Sequence, residues 1–146
     1  MIYTILDLTD PLAAYLKDDP VRPHIPHKER FGSNRAVFAL TENNEVSAMI
    51  CARLCGGIPS TEQELLDDHT VNPDTAVFYT IWSYKPGAGQ QLIREGLQQI
   101  KKQLPNVKRF VTLSPPTEMA RRFHLKNGAQ IFRVNEQSVN YEYIQV

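Results

Sequence analysis

The apolar positions of this chain form short runs typical of strands and wider stripes typical of amphipathic helices. The run 76–82 is β-branched or aromatic almost throughout, which predicts a buried strand. Apolar residues then recur with helical spacing at Leu92, Ile93, Leu97, Ile100 and Leu104. Pro105 ends this predicted helix. By the same criteria we predict further strands over 2–6, 36–40, 46–54, 109–113, 131–134 and 139–144, and further helices over 12–16, 62–66 and 118–127.

Turn-forming residues separate these elements. Thr9 and Asp10 precede Pro11, an arrangement typical of a helix start. Three prolines and one glycine lie within 18–34, which predicts an ordered loop with little regular structure. The polar segment 42–45 predicts a hairpin turn between two strands.

The order of the elements predicts the fold class. Strand-helix-strand-strand is followed by strand-helix-strand-helix-strand-strand, which is typical of an α/β (α+β) protein with helices packed on a mixed sheet. A chain of 146 residues is long enough for one hydrophobic core, so we expect a single domain over 1–146.

Charge and cysteine content narrow the class of protein. Lys and Arg number 16, as do Asp and Glu, which argues against nucleic acid or an acidic membrane as the partner of the whole molecule. The chain shows no pattern of a signal peptide or a membrane span, so we expect a cytoplasmic protein. Cys51 lies in the predicted strand 46–54 and Cys55 directly follows it, so extended chain separates them by about 13 Å, which is too far for a disulfide. The spacing of Cys and His residues is not that of a metal site, and we expect no metal.

A glycine-rich turn joins the strongest predicted strand to the amphipathic helix. Gly87 and Gly89 flank Ala88, and the helix is predicted to begin near Gln90. Glycine lets a ligand approach the backbone, and unpaired N–H groups at a helix start attract phosphate, to which Lys85 adds a positive charge. The turn lacks the Gly-Lys-Ser/Thr of a Walker loop and the third glycine of a dinucleotide fingerprint. Taken alone, it is better interpreted as an ordinary strand-to-helix turn.

The surroundings of this turn resemble the acyl-coenzyme A (acyl-CoA) core of the GNAT acetyltransferase superfamily. The matching order is strand, Gly-x-Gly-x-x-Leu, amphipathic helix, strand, and a helix ending in Asn127-Gly128-Ala129. The family's loop reads Gln/Arg-x-x-Gly-x-Gly/Ala. Gly87 and Gly89 match its glycines, whereas Tyr84 stands at its first position. The resemblance implies a mixed, mostly antiparallel sheet of six to seven strands flanked by helices, and binding of an acyl-CoA.

One branch of the superfamily resembles this chain more closely, namely the C-terminal catalytic domain of malonyl-CoA decarboxylases. Similar segments occur in the same order from about Pro20 to the C-terminus. The specific ones are Leu-Ser-Pro at 113–115 and Phe-His-Leu-x-Asn-Gly-Ala at 123–129. The family's N-terminal helical domain, and its long insertion between these two motifs, have no counterpart in this sequence.

The resemblance implies a catalytic pair, Ser114 and His124, which match the family's serine and histidine. His124 stands four residues before Gly128, where acetyltransferases usually carry a tyrosine that protonates the CoA thiolate. This substitution favours decarboxylation over amine acetylation. Without the resemblance, His124 is interpreted as a structural histidine whose hydrogen bonds are made within the protein, and Ser114 as the N-cap of the helix that carries His124.

The resemblance also implies where acyl-CoA binds. The expected contacts are the strand end, the glycine turn and the helix start, at Ile81, Trp82, Tyr84, Lys85, Gly87, Ala88, Gly89 and Gln90. Loss of CO₂ from a malonyl thioester leaves an enolate. We expect free N–H groups near Ile81 and Trp82 to stabilise its oxygen, and His124 to protonate its carbon. Ser114 is expected to hold the carboxylate or to orient the imidazole.

These observations order three functional hypotheses. The first is a malonyl-CoA decarboxylase-like enzyme, and the second is a GNAT acyltransferase acting on an amine or a carrier-protein thiol. The third is a non-catalytic CoA-binding domain, which Tyr84 and the missing helical domain keep open. The expected partner is a small-molecule acyl-CoA, and a homodimer that completes the site is compatible with so short a chain.

Overall fold

The predicted strands and helices are present with small shifts at their ends. The computed structural model describes all residues from 1 to 146. Its strands are β1 (Ile2–Ile5), β2 (Arg35–Glu42), β3 (Glu45–Cys55), β4 (Thr75–Ser83), β5 (Arg109–Thr112), β6 (Ala129–Val134) and β7 (Val139–Tyr143). Its α-helices are α1 (Glu62–Asp67), α2 (Ala88–Gln103) and α3 (Glu118–Lys126).

The first predicted helix takes a tighter form than an α-helix. Pro11–Asp18 is a 3₁₀ helix, and a second short one spans His27–Arg30 within the predicted loop. The Asp10 side chain caps the first by accepting from the Leu12 amide at 2.9 Å. The i→i+3 bond between Ala13 N–H and Asp10 C=O is that of a 3₁₀ turn, a form that proteins use in short pieces.

All seven strands belong to one sheet, in the order β1-β2-β3-β4-β5-β7-β6. Every neighbouring pair is antiparallel except β4 and β5, which are parallel and joined through α2. The prediction of a mixed, mostly antiparallel sheet flanked by helices is therefore confirmed. None of the helices is both long and apolar enough to cross a membrane.

The sheet opens between its two parallel strands. β5 pairs with β4 only from Thr75 to Phe78, and the last link is the bond from Leu113 N–H to Phe78 C=O at 3.0 Å. On its other side, β4 stays paired with β3 as far as Ser83. The final third of β4 therefore has one free edge, and a cleft lies along it.

A hydrophobic core covers each face of the sheet. On one face α2 buries Leu92, Ile93, Leu97 and Ile100, as its stripe predicts. Leu104 is the exception, because it lies past the last turn of the helix and is 40% exposed. On the other face, the N-terminal 3₁₀ helix and α1 pack Leu16 and Leu65 against the sheet.

Both cysteines lie in the core as free thiols, as predicted. Burial raises the pKa of Cys51 to about 11 and that of Cys55 to about 12. Both side chains therefore remain protonated and act as small apolar groups.

Candidate active site

The opening between β4 and β5 forms a cleft of about 610 Å³. Of the predicted site residues, those that line it are Ile81, Trp82, Gly89, Ser114 and His124. Pro20 and Val21 close one wall, while Met119 and Phe123 of α3 lie on another. The lining is mostly apolar with a few hydroxyl groups, and His124 is its only side chain that ordinarily titrates near neutral pH.

The backbone of β4 presents two amides to this cleft. Tyr84 N–H donates to Ser47 C=O at 2.8 Å, so this residue pair belongs to the hydrogen-bonded set of the β3–β4 ladder. In an antiparallel ladder, N–H groups alternate between the two edges of a strand. The amides of Ile81 and Ser83 therefore point toward the opening, whereas that of Trp82 points toward β3. This corrects the expectation for Trp82 and adds Ser83.

His124 reaches the cleft from the last turn of α3. The helix begins at its N-cap Thr117, whose hydroxyl accepts from the Ala120 amide at 3.2 Å. Gly128 takes a φ of 99° just after the helix, a left-handed conformation that favours glycine. His124 is 4% exposed, and this burial lowers its pKa to about 4. The imidazole is therefore neutral at pH 7.

Tyr143 of β7 defines the proton position on this imidazole. Its hydroxyl oxygen lies 2.7 Å from Nδ1 of His124 and has no other partner. Burial raises the pKa of Tyr143, so the hydroxyl keeps its proton. We therefore assign the hydroxyl as donor to Nδ1, which leaves the ring proton on Nε2. Nε2 has no hydrogen-bond partner in the chain and is the ring nitrogen free to meet a ligand.

Ser114 is held in the cleft wall by a short β-bridge. Its amide and carbonyl both pair with Val139 at 2.9 Å. Its hydroxyl donates to Thr112 Oγ1 at 2.8 Å rather than to His124, so no hydrogen bond joins the predicted pair. The alternative interpretation of Ser114 as a helix N-cap is wrong, because Thr117 fills that position.

The glycine turn starts α2 beside the cleft. Gly87 has a φ of 79° and caps the helix without a side-chain hydrogen bond. Ala88 N–H bonds to Lys85 C=O and Gln91 N–H to Gly87 C=O, which leaves the amides of Gly89 and Gln90 without a partner. The helix begins at Ala88, two residues before the predicted start. Free amides at the positive end of a helix are suited to an anion such as a pyrophosphate.

Two of the residues predicted to contact CoA, Tyr84 and Lys85, turn their side chains away from the cleft. Tyr84 accepts from Trp82 Nε1 at 3.0 Å and donates to Asp18 Oδ2 at 2.7 Å, so its side chain faces the N-terminal 3₁₀ helix. Lys85 Nζ lies 3.9 Å from Glu42 and 3.6 Å from Glu45, on the β2–β3 hairpin. Neither side chain lines the cleft, because these partners hold both at its outer side.

The sequence interpretation missed two supporting residues, Thr112 and Tyr143. Thr112 was detectable, because residues two apart on a strand share a face and it stands two before Ser114. Nothing local marks Tyr143 as the partner of His124, since the contact spans 19 residues between a helix and a strand.

Known structures with the same fold define the class of protein. Over 97% of this chain, the GNAT domain of S. lividans PAT superposes with a TM-score of 0.68 at 13% identity, covering 88% of that chain. A Bacillus subtilis acetyltransferase solved in complex with CoA gives a TM-score of 0.66 at 13% identity, covering 99% of this chain and 98% of that one. The protein therefore has the GNAT fold.

The family follows from the sequence itself. Residues 44–121, more than half of the chain, match the model of the malonyl-CoA decarboxylase C-terminal domain. The chain belongs to this family. The match includes Ser114 and ends before His124. No curated protein matches the sequence at a significant level.

A malonyl-CoA decarboxylase from Agrobacterium vitis shows the same relationship in structure. It superposes over 98% of this chain with a TM-score of 0.82 at 22% identity. The aligned region is 60% of that protein's chain, so this chain spans less than two thirds of its relative.

Proposed function

We propose that this domain binds an acyl-CoA in the cleft and decarboxylates a malonyl-type thioester to give acetyl-CoA and CO₂. The observation that carries the proposal is the convergence of His124, Ser114 and the Ile81 amide on one cleft beside the start of α2. Membership of the malonyl-CoA decarboxylase C-terminal domain family supports the choice of reaction.

The proposed binding mode follows the free backbone donors. The pyrophosphate of CoA lies at the start of α2, where the amides of Gly89 and Gln90 have no partner. The pantetheine arm then runs along the free edge of β4. This path brings the thioester carbonyl oxygen to the Ile81 amide.

In the reaction, the bond between the α-carbon and the carboxylate carbon breaks, and its electron pair forms the enolate of the thioester. The Ile81 amide donates to the enolate oxygen, which stabilises the charge as it develops. As the anionic substrate binds, His124 takes up a proton from solvent and becomes an imidazolium, which then delivers its Nε2 proton to the α-carbon and returns to the neutral state. Burial holds the ring neutral before substrate binds, and a negative charge beside it raises its pKa and so favours the protonated form.

Ser114 is proposed to hold the substrate carboxylate. Its hydroxyl donates to Thr112 and not to His124, which favours this role over orienting the imidazole. Ser114 lines the cleft, and its hydroxyl can turn about the Cα–Cβ bond while the backbone bridge to Val139 stays intact. The other groups around the cleft are mostly apolar, so a bound carboxylate loses most of its hydration.

Acyl transfer to an amine or a carrier-protein thiol is the second candidate. The observation that favours it is the neutral imidazole of His124, which can accept a proton at Nε2 in its other tautomer, where Nδ1–H donates to the Tyr143 hydroxyl oxygen. The two reactions differ in what becomes of the CoA thioester. Decarboxylation leaves the thioester intact, whereas acyl transfer releases free CoA.

The test is to incubate the protein with malonyl-CoA and to follow acetyl-CoA, CO₂ and free CoA by mass spectrometry. We expect acetyl-CoA and CO₂ in equal amounts, with one deuterium in the acetyl group when the solvent is D₂O. His124→Ala should lower kcat by about 10²–10⁴-fold, the usual contribution of a general acid. His69→Ala is the matched control, because His69 is exposed and is not one of the residues that line the cleft.

Two outcomes would contradict the proposal. Release of free CoA in the presence of an amine, without CO₂, would favour acyl transfer. Binding of CoA by calorimetry without turnover of malonyl-CoA would favour a non-catalytic CoA-binding domain.

A further inference from the structure

A fully buried ion pair lies behind the wall of the cleft and has no part in the proposed chemistry. Arg30 Nη1 is 2.6 Å from Asp19 Oδ2, and both side chains are 0% exposed. A buried ion pair is costly to desolvate and is not by itself a source of stability. The presence of this ion pair in so small a domain is therefore not explained by stability alone.

Asp19 ties three parts of the molecule together. Its Oδ1 accepts from the amides of Val21 at 2.8 Å and Arg22 at 2.9 Å, and from Thr80 Oγ1 at 2.9 Å. Burial alone would raise the pKa of Asp19, but these bonds and the Arg30 guanidinium outweigh it and lower the pKa. The carboxylate therefore stays ionised and joins its own loop to β4.

Arg30 holds the same loop from the inside. Its Nη2 donates to the Arg22 carbonyl at 2.8 Å and to the Ile25 carbonyl at 3.3 Å. Pro20 and Val21, which directly follow Asp19, form part of the cleft lining. The ion pair therefore fixes one wall of the cleft as well as its contact to β4.

The contact to β4 falls on a β-bulge. Cys51 pairs with Thr80 and Ala52 with Phe78, so Tyr79 is the extra residue. The Tyr79 carbonyl accepts from Arg22 Nη1, and the Thr80 hydroxyl donates to Asp19. Both residues of the bulge are thus held by side chains from the loop that Asp19 organises.

The bulge decides which amide faces the cleft. The Phe78 carbonyl points toward β5, where it accepts from Leu113. In a regular strand, Thr80 and Trp82 would share that direction, and the Ile81 amide would face β3. The extra residue shifts the alternation by one position, so the Ile81 amide faces the cleft instead.

We propose that Asp19, held by Arg30, is a positioning residue that acts through Thr80 to keep the bulge and to aim the Ile81 amide at the thioester oxygen. The inference rests on the proposed function for the identity of the thioester. The part that concerns the amide itself can be measured separately.

The test replaces the hydroxyl that joins the loop to the bulge. Thr80→Val removes the donor to Asp19 with little change of shape, and Thr80→Ser restores it. Thr75→Val is the matched control, because Thr75 is also buried on β4 but lies at the other end of the strand and donates to Asp74. We expect Thr80→Val to lower kcat for malonyl-CoA about 10–100-fold with little change in KM. Thr80→Ser and Thr75→Val should stay within about twofold of the wild-type kcat.

A second measurement separates this inference from the decarboxylase proposal. The ¹⁵N–¹H resonance of Ile81 is followed while CoA or acetyl-CoA is added. Acetyl-CoA should shift it more than CoA does in the wild type, in Thr75→Val and in Thr80→Ser, but not in Thr80→Val. If the wild type shows this shift yet leaves malonyl-CoA unchanged, the positioning role stands and the decarboxylase proposal fails. If acetyl-CoA has no such effect in the wild type, or if Thr80→Val keeps it, the positioning role is wrong.

Discussion

The imidazole of His124 should make the stability of this protein depend on pH. A histidine in the unfolded chain has a pKa of about 6.5, whereas burial lowers that of His124 to about 4 in the folded protein. Between these two values the unfolded chain binds a proton that the folded protein does not. The free energy of unfolding therefore falls as the pH falls through this window, with a slope approaching about 1.4 kcal/mol per pH unit. Above about pH 6.5, both states are neutral and His124 adds no dependence.

Urea unfolding from pH 7.5 to 4 measures this effect by comparison with His124→Gln. The variant should lose stability at neutral pH, yet its curve against pH should be flatter than that of the wild type. Acidic residues titrate equally in both proteins, so the difference between the two curves isolates His124. Parallel curves would show that His124 does not remain neutral in the folded protein.

The hydroxyl of Ser114 should distinguish a malonyl from an acetyl thioester. Ser114→Ala removes the proposed donor to the carboxylate, while the backbone bridge to Val139 keeps the local structure. In the His124→Ala background, where turnover is slow, we expect the affinity for malonyl-CoA to fall about tenfold or more, the usual effect of losing a hydrogen bond to a charged group. The affinity for acetyl-CoA, measured by calorimetry on the same sample, should not change. An equal loss for both ligands would assign Ser114 a structural role.

At the scale of an element, the start of α2 depends on one glycine. Gly87 has a φ of 79°, a conformation that L-residues adopt at a cost, although a side chain there would meet open space. Gly87→Ala should therefore destabilise the protein by about 1–2 kcal/mol. It should also weaken CoA binding, because the free amides of Gly89 and Gln90 lose their fixed direction.

Gly96→Ala is the control for this prediction. Gly96 lies inside the same helix, and a methyl group there meets no atom within 4 Å. Alanine should stabilise this position by about 0.5–1 kcal/mol and leave CoA binding unchanged. The two variants thus shift the unfolding midpoint in opposite directions. A similar loss of stability in both would show that crowding, and not backbone conformation, governs the helix.

At the scale of the whole molecule, residues 1–146 should unfold as one unit. One continuous sheet carries a core on each face, and the N-terminal loop is joined to β4 through Asp19 and Thr80. We expect one calorimetric transition whose calorimetric and van't Hoff enthalpies agree. Two separate transitions would contradict the single domain. Light scattering on the same sample tests the homodimer, which stays a prediction.

Most of the architecture is determined by the sequence alone, because local patterns encode local backbone conformation. The apolar runs of β2 and β3, the stripe of α2 and the turn residues between them predict the elements directly. Their order predicts the mixed sheet, and the resemblance of the loop and histidine motifs predicts the GNAT fold and the two candidate residues, Ser114 and His124.

Only the tertiary structure decided how the cleft is built, because its contacts join residues far apart in the chain. Thr80 and Asp19 are separated by 61 residues, and no local pattern marks them as partners. The bulge reverses the alternation within β4, so the sequence alone could not tell which amide faces the cleft. The sequence alone could also not show that Glu42 and Glu45 pair with Lys85 and hold it outside the cleft. Periodicity determines which face a side chain takes, but only packing between distant segments determines what it meets there.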